Sequence, residues 1–353
     1  MYEGFKIAKE RIPVTIITGF LGSGKTTLLK NIIRNNPTTR FAIIENEFGE
    51  MGIDGELVSA ENSLVYELTN GCICCSLSRD FYNSLQIIVE KQTDIDHLLI
   101  ETTGIADPMS VIDLFISNNM LEKYFQVNSV ICLADASTLE NTLDSEVDAR
   151  KQIALSDLVI VNKIDKTSVS QLDSLKDRIG DINPMAEIVE TSYAQTNGTP
   201  LLQTHAYSSS HVEKTTKSYR NINVSLHELA RSVNIPSEDR KRHRHDIHAE
   251  GFIFDECFDQ ELFNIWMSSY LYFNQSSLYR VKGILNFREK DKRSIFQAVK
   301  GSYLFEEGTQ WKDDEKRYSK IVFIGKSIDR DELVKSLKKL FQDSNSKSKR
   351  ISA

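Results

Sequence analysis

The chain has 353 residues, 40% hydrophobic and 26% charged, a soluble globular balance whose length predicts two domains. Its formal net charge of −7 argues against a basic field that would recruit nucleic acid. No apolar run reaches membrane-span length and the opening MYEGFKIAKERIP does not read as a signal peptide, so no membrane partner and a cytoplasmic location are expected.

The first strong element is VTIITGFLGSGKTTLLKNII, Val14 to Ile33. A β-branched run leads into a glycine-rich turn, and Leu28, Leu29, Ile32 and Ile33 then follow at helical spacing. Gly19, Gly24, Lys25 and Thr26 match G-x-x-x-x-G-K-[ST] in the strand–loop–helix context that this phosphate-binding loop requires. Gly19, Gly22, Ser23, Gly24 and Thr27 belong to the loop, whose backbone N–H groups can curl around phosphate oxygens. The positive end of the following helix faces the same anion. Lys25 adds a full charge near the β- and γ-phosphates, and Thr26 offers a hydroxyl to Mg²⁺.

A second strand is predicted at Arg40–Ile44, followed by the acidic stretch ENEFGEMGIDGE, which contains Glu45, Glu47 and Glu50. A short strand is expected near Leu64–Leu68, and a helix from Ser78 to Lys91. Between them lies Gly71-Cys72-Ile73-Cys74-Cys75. Thiolates at this spacing suit a borderline cation such as Zn²⁺. Three cysteines do not complete a four-thiolate site, so a carboxylate or water would be the remaining ligand. A redox dithiol is the rival reading of the cysteines, and a surface acidic loop that of the glutamates. Cys132, inside a strand, reads as a small buried hydrophobe, as does Cys257.

The strand HLLIE ends at Glu101 and continues as Thr102, Thr103 and Gly104. GTPases place a carboxylate here for the Mg²⁺ shell, then a glycine whose N–H approaches the γ-phosphate. A glutamate in place of the commoner aspartate would act through a metal-bound water. Further strands are predicted near Ser129–Asp135 and up to Lys163. The latter ends in VNKID, which carries Asn162, Lys163 and Asp165. A carboxylate at Asp165 can accept from guanine N1–H and the 2-amino group, donors that adenine lacks. Asn162 is expected to bond the base edge, and the Lys163 stem to lie along the base face. Such hydrogen-bonded sites discriminate by roughly 10⁴-fold. Thr191–Ala194 is a further candidate for a backbone contact to the base.

Strands alternating with helices indicate an α/β domain with a mostly parallel sheet, which binds ligands at its strand ends. The expected boundaries are a P-loop GTPase domain with the cysteine motif over 1–206, a polar connector over 207–245, a smaller α+β domain over 246–342 and a flexible tail over 343–353. The connector carries a possible short helix near Leu226–Ser232. The second domain should hold strands at HAEGFIF, Tyr279–Phe287, Ile295–Val299 and Lys320–Ile324, with helices near Gln260–Tyr272 and Asp329–Phe341.

TGFLGSGKTT, ENEFGE, TNGCICC, ETTGIADP and NKID together resemble the CobW-type metallochaperone GTPases, relatives of nitrile-hydratase activators and of the urease and hydrogenase nickel-insertion GTPases. YRVKGIL and IVFIGKSIDRDEL resemble that family's C-terminal domain, so the likeness covers residues 12–342. It implies GTP hydrolysis, with Mg²⁺, coupled to delivery of a transition metal, most often Zn²⁺ and in some members Co²⁺ or iron. It also implies a client metalloprotein that docks on the C-terminal domain. Carried onto this chain, it makes Cys72, Cys74 and Cys75 metal thiolates and Glu45 and Glu50 carboxylate ligands. The long histidine run of many members is reduced here to His243, His245 and His248, readable as ligands or as a solvated face. The rival readings are a metal-responsive regulatory GTPase that delivers nothing, an ATPase or kinase with redox cysteines, and a metal buffer. The sequence leaves client, metal and oligomeric state open.

Overall fold

The computed structural model describes residues 10–45, 63–67, 79–91, 94–104, 107–196, 199–204, 206, 208–218 and 247–348. They divide into two compact units, one of Met1–Asp177 with Ala186–Ala206, the other of Arg178–Met185 with Tyr207–Ala353. No helix among the described residues is long and apolar enough to cross a membrane.

The first unit is built on seven strands: β1 (Ile12–Gly19), β2 (Phe41–Glu45), β3 (Ser63–Glu67), β4 (His97–Glu101), β5 (Phe125–Asp135), β6 (Leu158–Asn162) and β7 (Glu187–Glu190). They form one sheet in the order β3-β2-β4-β1-β5-β6-β7, every pair parallel. β2 and β6 are buried along their whole length, which is why they read as unbroken apolar runs. Helix α1 (Lys25–Asn35) buries Leu28, Leu29, Ile32 and Ile33 against Ile17, Ile43, Leu99, Ile131 and Leu133. Each such side chain contributes about 1.5–3 kcal/mol of burial. Because β1 lies between β4 and β5, the carboxyl ends of these strands open onto the crevice where the P-loop begins. β7 escapes the sequence reading because EIVE is an edge strand with exposed glutamates at both ends.

The second unit is a five-stranded antiparallel sheet of β8 (Ile247–Phe254), β9 (Leu278–Leu285), β10 (Lys292–Val299), β11 (Ser302–Gln310) and β12 (Ser319–Lys326), in the order β11-β10-β9-β12-β8. The helices Gln260–Phe273 and Arg330–Ser348 share one phenylalanine-rich core with it, around Phe252, Phe254, Phe258, Phe263, Phe296 and Phe323. Asp259 caps the first of them, its carboxylate accepting from Leu262 N at 3.1 Å.

The structure departs from the sequence expectation at three places here. β11 is an added strand, hidden in the sequence by Glu306 and Glu307; it follows β10 through a tight turn at Lys300, where φ is 57°. Ser209–Ser218, expected to open the polar connector, is a helix instead, and Val212 packs with Ile284, Ile295 and Trp311. The last helix continues to Ser348 rather than giving way to a tail at 343, since no glycine or proline interrupts it. The expected helix at 226–232 lies outside the described residues.

Candidate nucleotide and metal site

β1 ends at Gly19, where φ is 139° and a Cβ would fall 2.2 Å from Leu133 O, so only glycine allows the turn. Lys25, 8% exposed, folds its side chain back over the loop and donates from Nζ to Gly19 O at 3.0 Å and Phe20 O at 3.4 Å. Ser23 is buried, while Gly22 and Thr27 are exposed. In the first turn of α1, Thr26 Oγ1 donates to Glu101 Oε1 at 3.2 Å. A hydroxyl and a carboxylate held together at the P-loop are the hard oxygen donors that Mg²⁺ takes, and they fit it. On the other side of Glu101 stands Glu45, 5% exposed, its Cα paired with that of Glu101 in the β2–β4 register. Gly104 lies against the P-loop: a Cβ there would come within 2.6 Å of Leu21 N.

Two asparagines tie the P-loop and α1 to the loop where the base is expected. Asn162, 2% exposed, donates from Nδ2 to Ser23 O at 2.8 Å and accepts at Oδ1 from Ala194 N at 2.9 Å. Its amide therefore ties the P-loop to the Thr191–Ala194 loop through Oδ1 and one of its two Nδ2 hydrogens, which leaves the second hydrogen for the expected bond to the base edge. Asn31, on α1, donates to Tyr193 O at 3.1 Å and Ala194 O at 2.9 Å. Together they hold two successive left-handed residues, Tyr193 at φ 55° and Ala194 at φ 53°. Such backbone costs about 1–3 kcal/mol per residue and persists where its surroundings demand it. Lys163, itself at φ 61°, donates from Nζ to Gly22 O and to Asp135 Oδ2, both at 2.7 Å, so its stem runs between NKID and the P-loop. Burial alone would raise the pKa of Asp135; hydrogen bonds from Lys163 and Ser137 outweigh it and hold the carboxyl below its ordinary range. Asp165 is exposed, and among the described residues its carboxylate has no hydrogen-bond partner.

Two family models match the chain: the CobW/HypB/UreG nucleotide-binding domain over residues 13–190, and the cobalamin synthesis protein cobW C-terminal domain over residues 247–341. The chain belongs to the CobW family. It is 30% identical over 326 residues to the zinc chaperone YjiA of Escherichia coli K12, covering 91% of this chain and 96% of that protein. It is also 30% identical over 312 residues to zinc-regulated GTPase metalloprotein activator 1 of Schizosaccharomyces pombe, covering 82% and 75%. The crystal structure of Zn(II)-bound YjiA GTPase from E. coli superposes with a TM-score of 0.70 at 26% identity, over 94% of this chain and 99% of that one. A second Zn(II)-bound YjiA structure, a triple mutant with one glutamate and two consecutive cysteines changed to alanine, matches equally, with a TM-score of 0.69.

Of the metal candidates, Glu45 closes β2, while Cys72, Cys74, Cys75 and Glu50 lie outside the described residues. Among the described residues no three His, Cys, Asp or Glu side chains gather as a metal site. His248 lies on β8, its Nε2 3.6 Å from Glu250 Oε1, and Glu250 also takes Arg330. His243 and His245 fall outside the described residues. Cys132 is buried, as expected, and burial pushes its thiol up to about 12 against the pull of nearby Lys25, so it stays protonated at neutral pH. The reading from sequence missed Asn31, Asp135 and Gln152, whose Nε2 donates to Gly104 O at 3.1 Å. No motif marks them.

Proposed function

We propose that this CobW-family chain is a GTPase that couples GTP binding and hydrolysis to the handling of zinc and its transfer to a client metalloprotein. The zinc chaperone and zinc-regulated activator named among its relatives support the reading. The observation that carries it is the register of Glu45 beside Glu101. Neighbouring strands lie about 4.8 Å apart. A ligand assigned to the cargo metal thus stands next to the carboxylate that meets Thr26 at the nucleotide.

In this reading the P-loop N–H groups and Lys25 bind the phosphates, Thr26 and Glu101 hold Mg²⁺, and the Gly104 N–H approaches the γ-phosphate. Bound there, Mg²⁺ would supply charge neutralisation at the phosphates. Asp165 reads guanine, and the Lys163 stem lies along the base. Cys72, Cys74 and Cys75 hold zinc as cargo with Glu45 and Glu50, a donor set like the glutamate and cysteines replaced in the YjiA mutant. The client docks on the C-terminal domain, and the reduced thiols suit a cytoplasmic protein.

The test is a competition titration with a chromogenic zinc chelator, in GDP and in a non-hydrolysable GTP analogue with Mg²⁺. Zinc affinity is expected to differ between the two states by about 5–150-fold. Equal affinity removes the coupling. Undiminished affinity in a chain with all three of Cys72, Cys74 and Cys75 changed to Ser moves the metal elsewhere, and GTP-dependent metallation of a client separates delivery from a purely regulatory switch.

A further inference from the structure

Gln152 sits on the helix Val147–Leu155 with no exposed surface, among Ile153, Ala154 and Leu155. An amide buried in such company is costly unless it is bonded. Its Nε2 donates to Gly104 O, 48 residues away in sequence. The neighbouring Lys151 places Nζ 3.7 Å from Asp107 Oδ2, and Asp107 Oδ1 accepts from Met109 N at 2.9 Å where the helix Met109–Ser117 starts. One helix therefore grips the segment after β4 at two points, 104 and 107. On its other side Gly104 is pressed against Leu21 of the P-loop. The end of the gripping helix is itself secured, since Ser156 Oγ donates to Gln152 O at 2.6 Å.

Resting on the reading of a GTP site at the P-loop, we propose that Gln152 is a positioning residue for GTP hydrolysis. By holding the peptide that follows Gly104, it keeps that glycine against the P-loop, where its N–H meets a γ-phosphate. GDP lacks the γ-phosphate and makes no use of this arrangement. The helix Val147–Leu155 thereby becomes the element that registers which nucleotide is bound. A residue that merely fills space at 152 would support GTP and GDP alike.

The experiment compares the wild-type chain with Gln152→Met, which keeps length and volume but has no donor, and with Gln152→Asn, which keeps the amide but cannot reach. Thermal midpoint, kcat, KM and affinities for GDP and a non-hydrolysable GTP analogue are measured with Mg²⁺. Both variants are expected to lose about tenfold in kcat and in analogue affinity, the effect of one hydrogen bond at a positioned loop, with GDP affinity within about twofold of wild type. Wild-type kcat and an unchanged analogue-to-GDP ratio in a folded variant overturn the proposal. So does a loss of both affinities together, which marks a structural residue. If Gln152→Met does not fold, Gln152→Asn decides by the same ratio. A wild-type chain that hydrolyses no GTP would instead overturn the function proposed above.

Discussion

Lys25 and Arg293 are both cations with less than a tenth of their surface exposed, and they do opposite work. In the first unit β2 and β6 are apolar up to their last residue, and Glu45, Glu101, Asp135 and Asn162 stand at the carboxyl ends of β2, β4, β5 and β6. Lys25 belongs to that rim, resting on carbonyls that a phosphate can replace. In the second unit the charges lie within the sheet. Arg280 and Lys282 are each 1% exposed on β9. Arg293 stacks 4.1 Å from the Trp311 ring, pairs with Glu315, and donates to Thr309 Oγ1 at 2.6 Å and Gln310 O at 2.9 Å. Thr309 N in turn donates to Glu213, at 2.8 Å, which fastens the helix Ser209–Ser218. A buried charge at a strand end is held ready for a ligand, whereas one on a sheet face is already committed to the fold.

The sharpest separation of the two roles is Lys25→Ala. It should reduce GTP hydrolysis to background while leaving the thermal midpoint of the nucleotide-free chain near wild type. A variant that still turns over GTP, or that unfolds, would erase the distinction. Next in size is Asp165→Asn, expected to weaken GTP binding by about 100-fold or more and to admit xanthine nucleotides, whose 2-carbonyl accepts from an amide. Isothermal titration with GTP and XTP reads both effects. Arg293→Met is the counterpart in the second unit. Removing the guanidinium from Glu315, Thr309 and Gln310 should cost about 3 kcal/mol of stability in chemical denaturation, with GTPase rates unchanged below the melt. Asn31→Ala removes one support of the Tyr193–Ala194 loop and should lower GTP affinity about fivefold with kcat unaltered. The smallest effect is on pH. The Asp135 carboxyl has a depressed folded-state pKa, so the stability from its link to Lys163 is complete above the ordinary 3.8 and is lost as pH falls through the folded value. Asp135→Asn and wild type should differ by a constant amount from pH 7 to pH 5 and converge only in stronger acid.

The phosphate end was open to reading because its residues are consecutive: the loop from Gly19 to Thr27 and the strand end at Glu101 are local patterns with a fixed chemistry. Lys163 and Asp165 stand in an equally local pattern. Asn162 shows where that stops. Its position was apparent, but Ser23 and the backbone of Ala194 lie 139 and 32 residues away, and only the fold reveals that its amide also braces the P-loop. Asn31 and Gln152 are ordinary helix residues in sequence, and their partners are backbone carbonyls, which no residue type announces. In the second unit the phenylalanine-rich strands were readable, whereas β11 was hidden by its glutamates and the helix Ser209–Ser218 by its serines and threonines.

The way Asn162 and Lys163 close the site sets a timetable for its making. β1 is translated early, but its neighbours in the sheet are β4 and β5, and the carbonyls of Gly22 and Ser23 wait for donors 141 and 139 residues later. The brace is complete only when Ala194 arrives. A chain that ends before that loop has emerged holds a full P-loop sequence but lacks the brace from Asn162 to Ala194. Contacts this distant in sequence slow folding. The loop that completes the brace therefore emerges among the last residues of the first unit, which ends at Ala206, and a ligand that binds only the closed unit stabilises it by mass action.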